Sequence, residues 1–438
     1  MNEPVKLNMS EIPSEYMNPA PQAVICLPKD YKTSGKKYPV LYMHDGQNLD
    51  GWKVVEDIDQ LVAAGLMGEI IVVGIYNREN LRAFDYLPDA PALNGIVPYG
   101  GLDEYGKFIV EELKPYIDSH YPTLSDVSNT GILGSSFGGV ASYNIAGWYP
   151  DVFGCAGVMS PILRINLDDA DTINPTLNFS QNIRMYIDGG WMENSNKWWK
   201  MIISMRAVKL WLMEQGLKDG KNLLYFEDPK GSHNESCWAY RLKSAMLFFF
   251  GKYESPVANI DVQISPKKIG IGDESSLIVE IVRQNGIHET PFPMKITSDT
   301  PSVLFADDKG VLKGLKPGKA TVTVTYGDVK KSVVVDVMEN SRDDTTVKII
   351  VKTPVEIKGL TGNIISINET SVKDTIVFQQ DTPAMWSAVV GKKKGDRIVF
   401  ELVNDSGKNA YSMKGELLQK KIIFTANIES EINVKEWK

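Results

Sequence analysis

Cysteine is scarce. The 438 residues hold three, Cys26, Cys155 and Cys237, too few for a disulfide framework and at no Cys-x-x-Cys spacing for a metal or redox site. Each is expected as a small buried hydrophobe. Positive charge is also in deficit, with 47 Lys plus Arg against 55 Asp plus Glu and a net charge of -8. A polyanion finds no broad attraction on such a chain, so nucleic acid is excluded as an expected partner. Long apolar runs are missing as well. The longest, from Ala245 to Phe250, falls far short of the ~20 residues that cross a bilayer, so no membrane span is expected. No signal-peptide pattern is visible, and Met1-Asn2-Glu3-Pro4 reads as an initiator on a trimmed mature chain. What remains is ordinary globular composition, 43% hydrophobic and 23% charged, at a length suited to two to four domains of roughly 150 residues each.

The first 250 or so residues alternate short apolar runs with amphipathic stretches. Strands are expected over Val40 to His44, Ile70 to Ile75, Thr130 to Ser135, Cys155 to Ser160, Met185 to Asp188 and Leu223 to Phe226. Helices are expected over Val54 to Leu66, Asp103 to Ser119, Met201 to Gln215 and Ser236 to Phe250. Such alternation predicts a parallel sheet covered on both faces. After Tyr253-Glu254-Ser255-Pro256 the texture changes to Val, Ile and Thr alternating with polar residues, as in Ala320-Thr321-Val322-Thr323-Val324-Thr325, with turns at Gly310, Gly314, Pro317-Gly318 and Gly327. A polar linker, Glu339 to Asp344, precedes a third stretch of the same kind. The expected organisation is an α/β domain over residues 1–253, then all-β sandwiches over 258–339 and 345–438.

Gly134-Ser135-Ser136-Phe137-Gly138-Gly139 matches Gly-x-Ser-x-Gly between an apolar strand and a helix-like run. The spacing suits a tight strand-to-helix turn that lifts a serine Oγ above the sheet edge, where flanking side chains would collide. Serine needs a base, and histidine is the side chain suited to the task. The chain has four. His44 ends an early strand, His120 closes a helix and His288 belongs to the second region. His233 is left, in the loop Lys230 to Ser236 before the last helix, following the order Ser, acid, His. Two carboxylates lie between on Met185 to Glu193: Glu193 on the loop is favoured as the acid, with Asp188 at the strand end the alternative. Oxyanion donors are expected from the N–H of Phe137 and from Gln47 in Met43 to Asn48, a loop that also reads as a simple Asp-Gly turn. No metal or organic cofactor is required. Tyr86, Tyr99, Trp191, Trp198 and Trp199 are candidates for lining a substrate cleft, with Trp191 foremost, and Asn77 to Gly101 is long enough for a lid or rim.

These residues resemble the esterase D-like family of α/β-hydrolases, which includes carbohydrate esterase family 1 (feruloyl and acetylxylan esterases) and the enterochelin esterases. Tyr42 to Asn48, Arg82 with Asp85-Tyr86 and Pro88, Glu112 to Asp118, Gly134 to Gly139, and Gly231 to Glu235 followed by Trp238 carry the resemblance over residues 18 to 252. It implies an α/β-hydrolase fold, Ser136 as nucleophile and His233 as base, with Glu193 where the family often puts its acid. Two positions depart from the family pattern, Gly190-Trp191 before the acid and Asp50 after Gln47-Asn48-Leu49. Residues 258 to 338 resemble a bacterial Ig-like domain of group 2 through Ser298 to Val303, Asp308 to Leu315 and Pro317 to Val322, which shifts the expected location to periplasm or cell surface. Residues 345 to 438 are similar to starch-binding or glycogen-binding sandwiches through Gly362-Asn363, Trp386 to Val389 and Gly395 to Phe400; Trp386, in an alternating strand, is expected in the core.

The leading expectation is a serine ester hydrolase that removes feruloyl or acetyl groups from plant polysaccharide or oligosaccharide. A siderophore trilactone esterase keeps the same triad. A carbohydrate-binding or adhesion protein with an inert hydrolase domain is the reading from another class. All candidate catalytic residues precede Pro256, so the first domain is expected to carry the chemistry alone.

Overall fold

A computed structural model describes residues 1, 5–7, 14–88, 100–161, 163, 177–193, 198–265, 269–339, 344–354, 357–365, 372–393, 397–411, 419–423 and 428–437. The first region is built on one eight-stranded sheet in the order β1-β2-β4-β3-β5-β6-β7-β8, where β1 is Val5–Lys6, β2 Ala23–Cys26, β3 Val40–His44, β4 Ile71–Ile75, β5 Thr130–Ser135, β6 Cys155–Met159, β7 Arg184–Gly190 and β8 Leu223–Asp228. From β4 to β8 the pairings are parallel, while β1–β2 and β2–β4 are antiparallel. Every residue of β3, β4, β5, β6 and β8 is buried. This is why these strands read as mainly apolar runs without alternation, polar residues falling chiefly at their ends: with both faces covered no polar face is left to alternate.

The helices are α1 (Val54–Ala63), α2 (Arg82–Tyr86), α3 (Leu102–Lys107), α4 (Lys114–His120), α5 (Phe137–Trp148), α6 (Trp198–Glu214) and α7 (Glu235–Phe250). The single helix expected over Asp103 to Ser119 is instead α3, a π-helical stretch Phe108–Leu113, and α4. Pro115 sits in the first turn of α4, where it has no N–H to continue the α ladder, and the wider turn before it absorbs the break. Helix α7 starts at Asn234, whose side chain accepts the Cys237 N–H at 3.1 Å. It ends in Leu247, Phe248 and Phe249, which join β2, β3, β4 and α1 in one core.

Beyond Gly251 the described residues form strands and their connections, with no helix among them. Ile269–Gly270, Val329–Met338, Gly318–Tyr326 and Lys295–Ser298 form a four-stranded sheet, and His288–Glu289, Glu274–Arg283, Val311–Gly314 and Leu304–Ala306 a second, to which Val257–Ser265 adds by pairing with Glu274–Arg283. Two further four-stranded sheets follow, Gln379–Thr382, Met385–Lys393, Asp344–Lys352 and Ile428–Asn433 in one, and Val372–Val377, Leu360–Ile365, Arg397–Asn404 and Gln419–Ile423 in the other. Ile349, Val351, Trp386, Ala388 and Ile432 from the first of these meet Leu360, Ile376, Phe400 and Leu402 from the second in one apolar core, which makes the last region a sandwich with Trp386 inside it. The chain divides into two compact units. One comprises Met1–Gln263 with Ile278–Lys295 and Val324–Lys331, the other Ile264–Leu277, Ile296–Thr323 and Ser332–Lys438. Among the described residues no helix is long and apolar enough to cross a membrane.

Candidate active site

Ser136 stands between β5 and α5 with φ 57° and ψ -122°, a backbone region that a residue with a Cβ occupies only under strain, at roughly 1–3 kcal/mol. The neighbouring glycines make the turn possible. A Cβ on Gly134 would come within 2.7 Å of the His44 ring and 2.8 Å of the Gly138 backbone, and one on Gly139 within 2.8 Å of the Met159 carbonyl. The Ser136 N–H bonds that same Met159 carbonyl at 2.9 Å, tying the turn to the end of β6. Ser136 and Phe137, directly after the C-terminal end of β5, keep partial exposure.

Glu193 and His233 meet. The His233 Nδ1 lies 2.8 Å from Glu193 Oε2, and because a carboxylate only accepts, Nδ1 carries the hydrogen, which in the neutral tautomer of the ring leaves the lone pair on Nε2. The other oxygen, Oε1, takes the Ser160 hydroxyl at 2.6 Å, the Gly190 N–H at 2.7 Å and both Arg241 terminal nitrogens at 3.1 Å. Burial alone would push the Glu193 carboxyl up. The bond from His233, the Arg241 charge and the Ser160 hydroxyl outweigh it and hold the group below the usual carboxylate range. Two glycines let the acid and histidine loops touch: a Cβ on Gly190 would lie 2.1 Å from the Gly231 carbonyl, and the Trp191 and Met192 N–H groups bond the Asp228 and Gly231 carbonyls at 2.9 Å each.

Asp188, the alternative acid, faces elsewhere. Fully buried, it accepts the Ser160 N–H on Oδ1 at 3.3 Å and lies 3.4 Å from Arg241 Nε. Burial raises its pKa to about 7 against the pull of Arg241. Ser160 itself has φ 44°, and its Oγ accepts from Trp238 Nε1 at 2.9 Å and Arg241 at 2.7 Å while donating to Glu193. The Trp238 ring meets the His233 ring edge to face at 5.0 Å. Ser160 and Arg241 are functional neighbours of Glu193 that no sequence motif points to. The signal for Arg241 is a charge on the apolar side of α7, in register with Trp238 and Ala245; Ser160 carries none.

The loop after β3 is fastened by Arg82. Its guanidinium grips both Asp45 oxygens at 2.7 Å, reaches the Ser135 carbonyl at 3.5 Å and lies over the Phe137 ring at 5.5 Å. Asp85 pairs with Arg78 instead, at 2.9 and 2.5 Å. Gln47 sits exposed in the turn Gly46–Asn48, and its Oε1 accepts the Asn77 N–H at 3.2 Å. Since β3 and β5 are neighbours in the sheet, the turns bearing Gln47 and Phe137 emerge side by side. Tyr86 and Trp191, expected on a substrate cleft, are core residues at 0% and 6% exposure. Tyr86 accepts the Asp45 N–H at 3.2 Å and packs on the His44 and Tyr105 rings, and Trp191 donates to Glu227 at 3.1 Å. Their polar tips find partners inside the protein, which draws the rings away from the surface. Tyr99 lies outside the described residues, as do residues 89–99 of the expected lid and the side chains of Trp198 and Trp199.

The family model described as "Putative esterase" matches residues 14–244. The chain belongs to this esterase family. Residues 14–244 are thus a carboxylic ester hydrolase module with the hydrolase fold. An endo-1,4-beta-xylanase/feruloyl esterase of Xylanibacter ruminicola is 30% identical over 148 residues, 32% of this chain and 19% of that protein. The chain therefore spans only a minor part of that relative. A ferulic acid esterase structure from Anaeromyces mucronatus is similar at TM-score 0.42 and 20% identity, over 57% of this chain and 91% of that one. An enterobactin esterase from Shigella flexneri is similar at TM-score 0.43 and 15% identity, over 56% and 58%.

Two measurements check the electrostatics around Glu193 and His44. Arg241→Met leaves Asp188 and Glu193 buried without their shared cation, and the expected loss is about 3–5 kcal/mol in urea unfolding. Adding Asp188→Asn removes one of the stranded charges and should recover part of that loss; a double variant no more stable than the single one would refute the shared-cation role. His44 is buried, with its pKa lowered to about 4 by burial, Asp45 opposing and Arg82 assisting. Its folded value is depressed, so its contribution is complete above about pH 6.5 and lost as pH falls from there toward 4, reaching about 3 kcal/mol. Unfolding midpoints should fall across that window in the native chain and more shallowly in His44→Asn.

Proposed function

We propose that the protein removes feruloyl or acetyl groups from plant polysaccharide or its oligosaccharides through a serine acyl-enzyme. The observation that carries the mechanism is the 2.8 Å contact of Glu193 with His233 Nδ1; the strained turn at Ser136 in Gly-x-Ser-x-Gly supports it. Nε2 of His233 takes the proton of Ser136 Oγ as the oxygen attacks the ester carbonyl carbon. The N–H groups of Phe137 and Gln47 receive the oxyanion. Collapse breaks the bond to the alcohol oxygen, which leaves with the proton held on His233. Water then attacks the acyl-enzyme, giving its proton to His233, and the acid departs as Ser136 recovers its hydrogen. Glu193 stays ionised throughout and steadies the imidazolium that forms in each half-reaction.

The polysaccharide assignment is supported by the xylanase/feruloyl esterase relative. We further propose an organisation of three domains, 1–253, 258–339 and 345–438, with the second Ig-like and the third similar to starch-binding modules, and a periplasmic or cell-surface location for the whole.

Ser136→Ala and His233→Ala are expected to lower kcat on p-nitrophenyl acetate by about 10⁴ to 10⁶-fold with the fold intact. Turnover above a tenth of the native value in Ser136→Ala removes the nucleophile assignment. Glu193→Gln is expected to lose about 10³ to 10⁴-fold, whereas Asp188→Asn, whose carboxyl does not face the imidazole, should lose less than about tenfold; the reverse ranking moves the acid to Asp188. For substrate, methyl ferulate, acetylated xylan and a trilactone siderophore are compared by kcat/KM. Preference for the trilactone would replace the polysaccharide reading while leaving the triad in place.

A further inference from the structure

Strand β8 is the last of the sheet, and an edge of that kind ordinarily exposes unpaired backbone groups. Here a segment from the following all-β region, within the same compact unit, covers it. The Thr290 N–H bonds the Tyr225 carbonyl at 2.7 Å, and the Glu227 N–H bonds Thr290 Oγ1 at 2.9 Å. That hydroxyl donates in turn to the Val279 carbonyl at 2.9 Å. On one side of Thr290, Ile287 is fully buried in the core that holds Leu242, Ala245 and Met246 of α7, and the His288 N–H bonds Ser244 Oγ at 3.0 Å. On the other, Phe292 lies beneath the Arg206 guanidinium at 4.9 Å.

Glu227 connects this segment to the active site. Its carboxylate takes Arg206 at 2.6 and 2.7 Å, the Tyr225 hydroxyl at 2.7 Å and Trp191 Nε1 at 3.1 Å. Trp191 lies two residues before Glu193, and its own N–H is bonded to the residue after Glu227. We propose that residues 287–292 are a positioning element of the esterase: Thr290 fixes the end of β8, Glu227 holds Trp191, and the turn that aims Glu193 at His233 is set from outside the α/β region. The proposal rests on the esterase reading for its kinetic consequence and on geometry for the rest. It departs from the expectation that residues before Pro256 suffice.

The test uses the full chain carrying Thr290→Val, Thr290→Ser, Trp191→Phe and the Val/Phe double substitution. A fluorophosphonate titration counts competent sites, so kcat on p-nitrophenyl acetate is expressed per site and loss of folded protein does not enter. Thr290→Val and Trp191→Phe are each expected to lower kcat per site about tenfold with KM within about twofold, and Thr290→Ser to restore it. The double variant should lose no more than the worse single one, as expected for two links of one chain of contacts. Amide exchange at Trp191 and Met192 should quicken about tenfold in Thr290→Val, a readout independent of activity. Unchanged kcat per site, multiplicative losses, or unchanged exchange at those amides would each overturn the proposal. Failure of the native chain to label or to hydrolyse the ester would count against the esterase reading instead, and the exchange measurement would still decide the positioning role.

Discussion

The arrangement of the site depends on one buried carboxylate. Glu193 has its Oε1 filled by Ser160, Gly190 and the two terminal nitrogens of Arg241, so only Oε2 is left to meet His233. A buried charge is tolerated when paired and fully bonded, and each donor dictates a feature elsewhere. Ser160 must turn its hydroxyl inward from the end of β6, and it does so at φ 44°. Gly190 must expose its N–H where the acid and histidine loops touch, so neither it nor Gly231 has room for a side chain. Arg241 must be wholly buried in a helix whose other buried residues, Ser244 apart, are apolar.

Much of this was legible in the sequence. Val40–His44 and Thr130–Ser135 have the expected bounds, because strands buried on both faces leave an apolar run with clear ends. The Gly-x-Ser-x-Gly turn was legible because its first glycine, Gly134, and Gly139 just after it answer to backbone approaches under 3 Å that only a missing Cβ permits. Strand β2, Ala23–Cys26, was not, since four buried residues without alternation carry too little pattern. Helix α2, Arg82–Tyr86, is five residues held by Arg82–Asp45 and Arg78–Asp85 pairs, contacts that exist only after folding. For the carboxylates 188 and 193 the sequence offers a ranking, loop over strand end, but no decision, for the same reason: what separates them is which one Arg241 and Ser160 leave facing the imidazole.

Aromatic residues show where reading by type misleads. Tyr86 and Trp191 suit a sugar or ferulate ring by chemistry, yet both are spent on internal hydrogen bonds. The indole of Trp191 satisfies a buried Glu227 that already holds Arg206 and Tyr225, so the departure Gly190-Trp191 from the family pattern belongs to how the acid loop is anchored. A different residue before the acid requires a different support beneath it, and here that support runs through the end of β8.

Two carboxylates five residues apart therefore end with opposite tendencies beside one arginine. Asp188 is fully buried with one oxygen unbonded, and burial raises it to about 7. Glu193 is buried almost as deeply, yet its bonds hold it below the usual range. A single cation cannot stabilise two adjacent buried anions equally, and the one with more donors keeps the charge. Concentrating negative charge on Glu193 makes it the stronger acceptor for the His233 hydrogen, while the more readily protonated Asp188 lowers the repulsion that two full charges would impose. The sharing of Arg241 thus separates a carboxylate suited to orienting the His233 imidazole from one suited to bracing the strand ends around it.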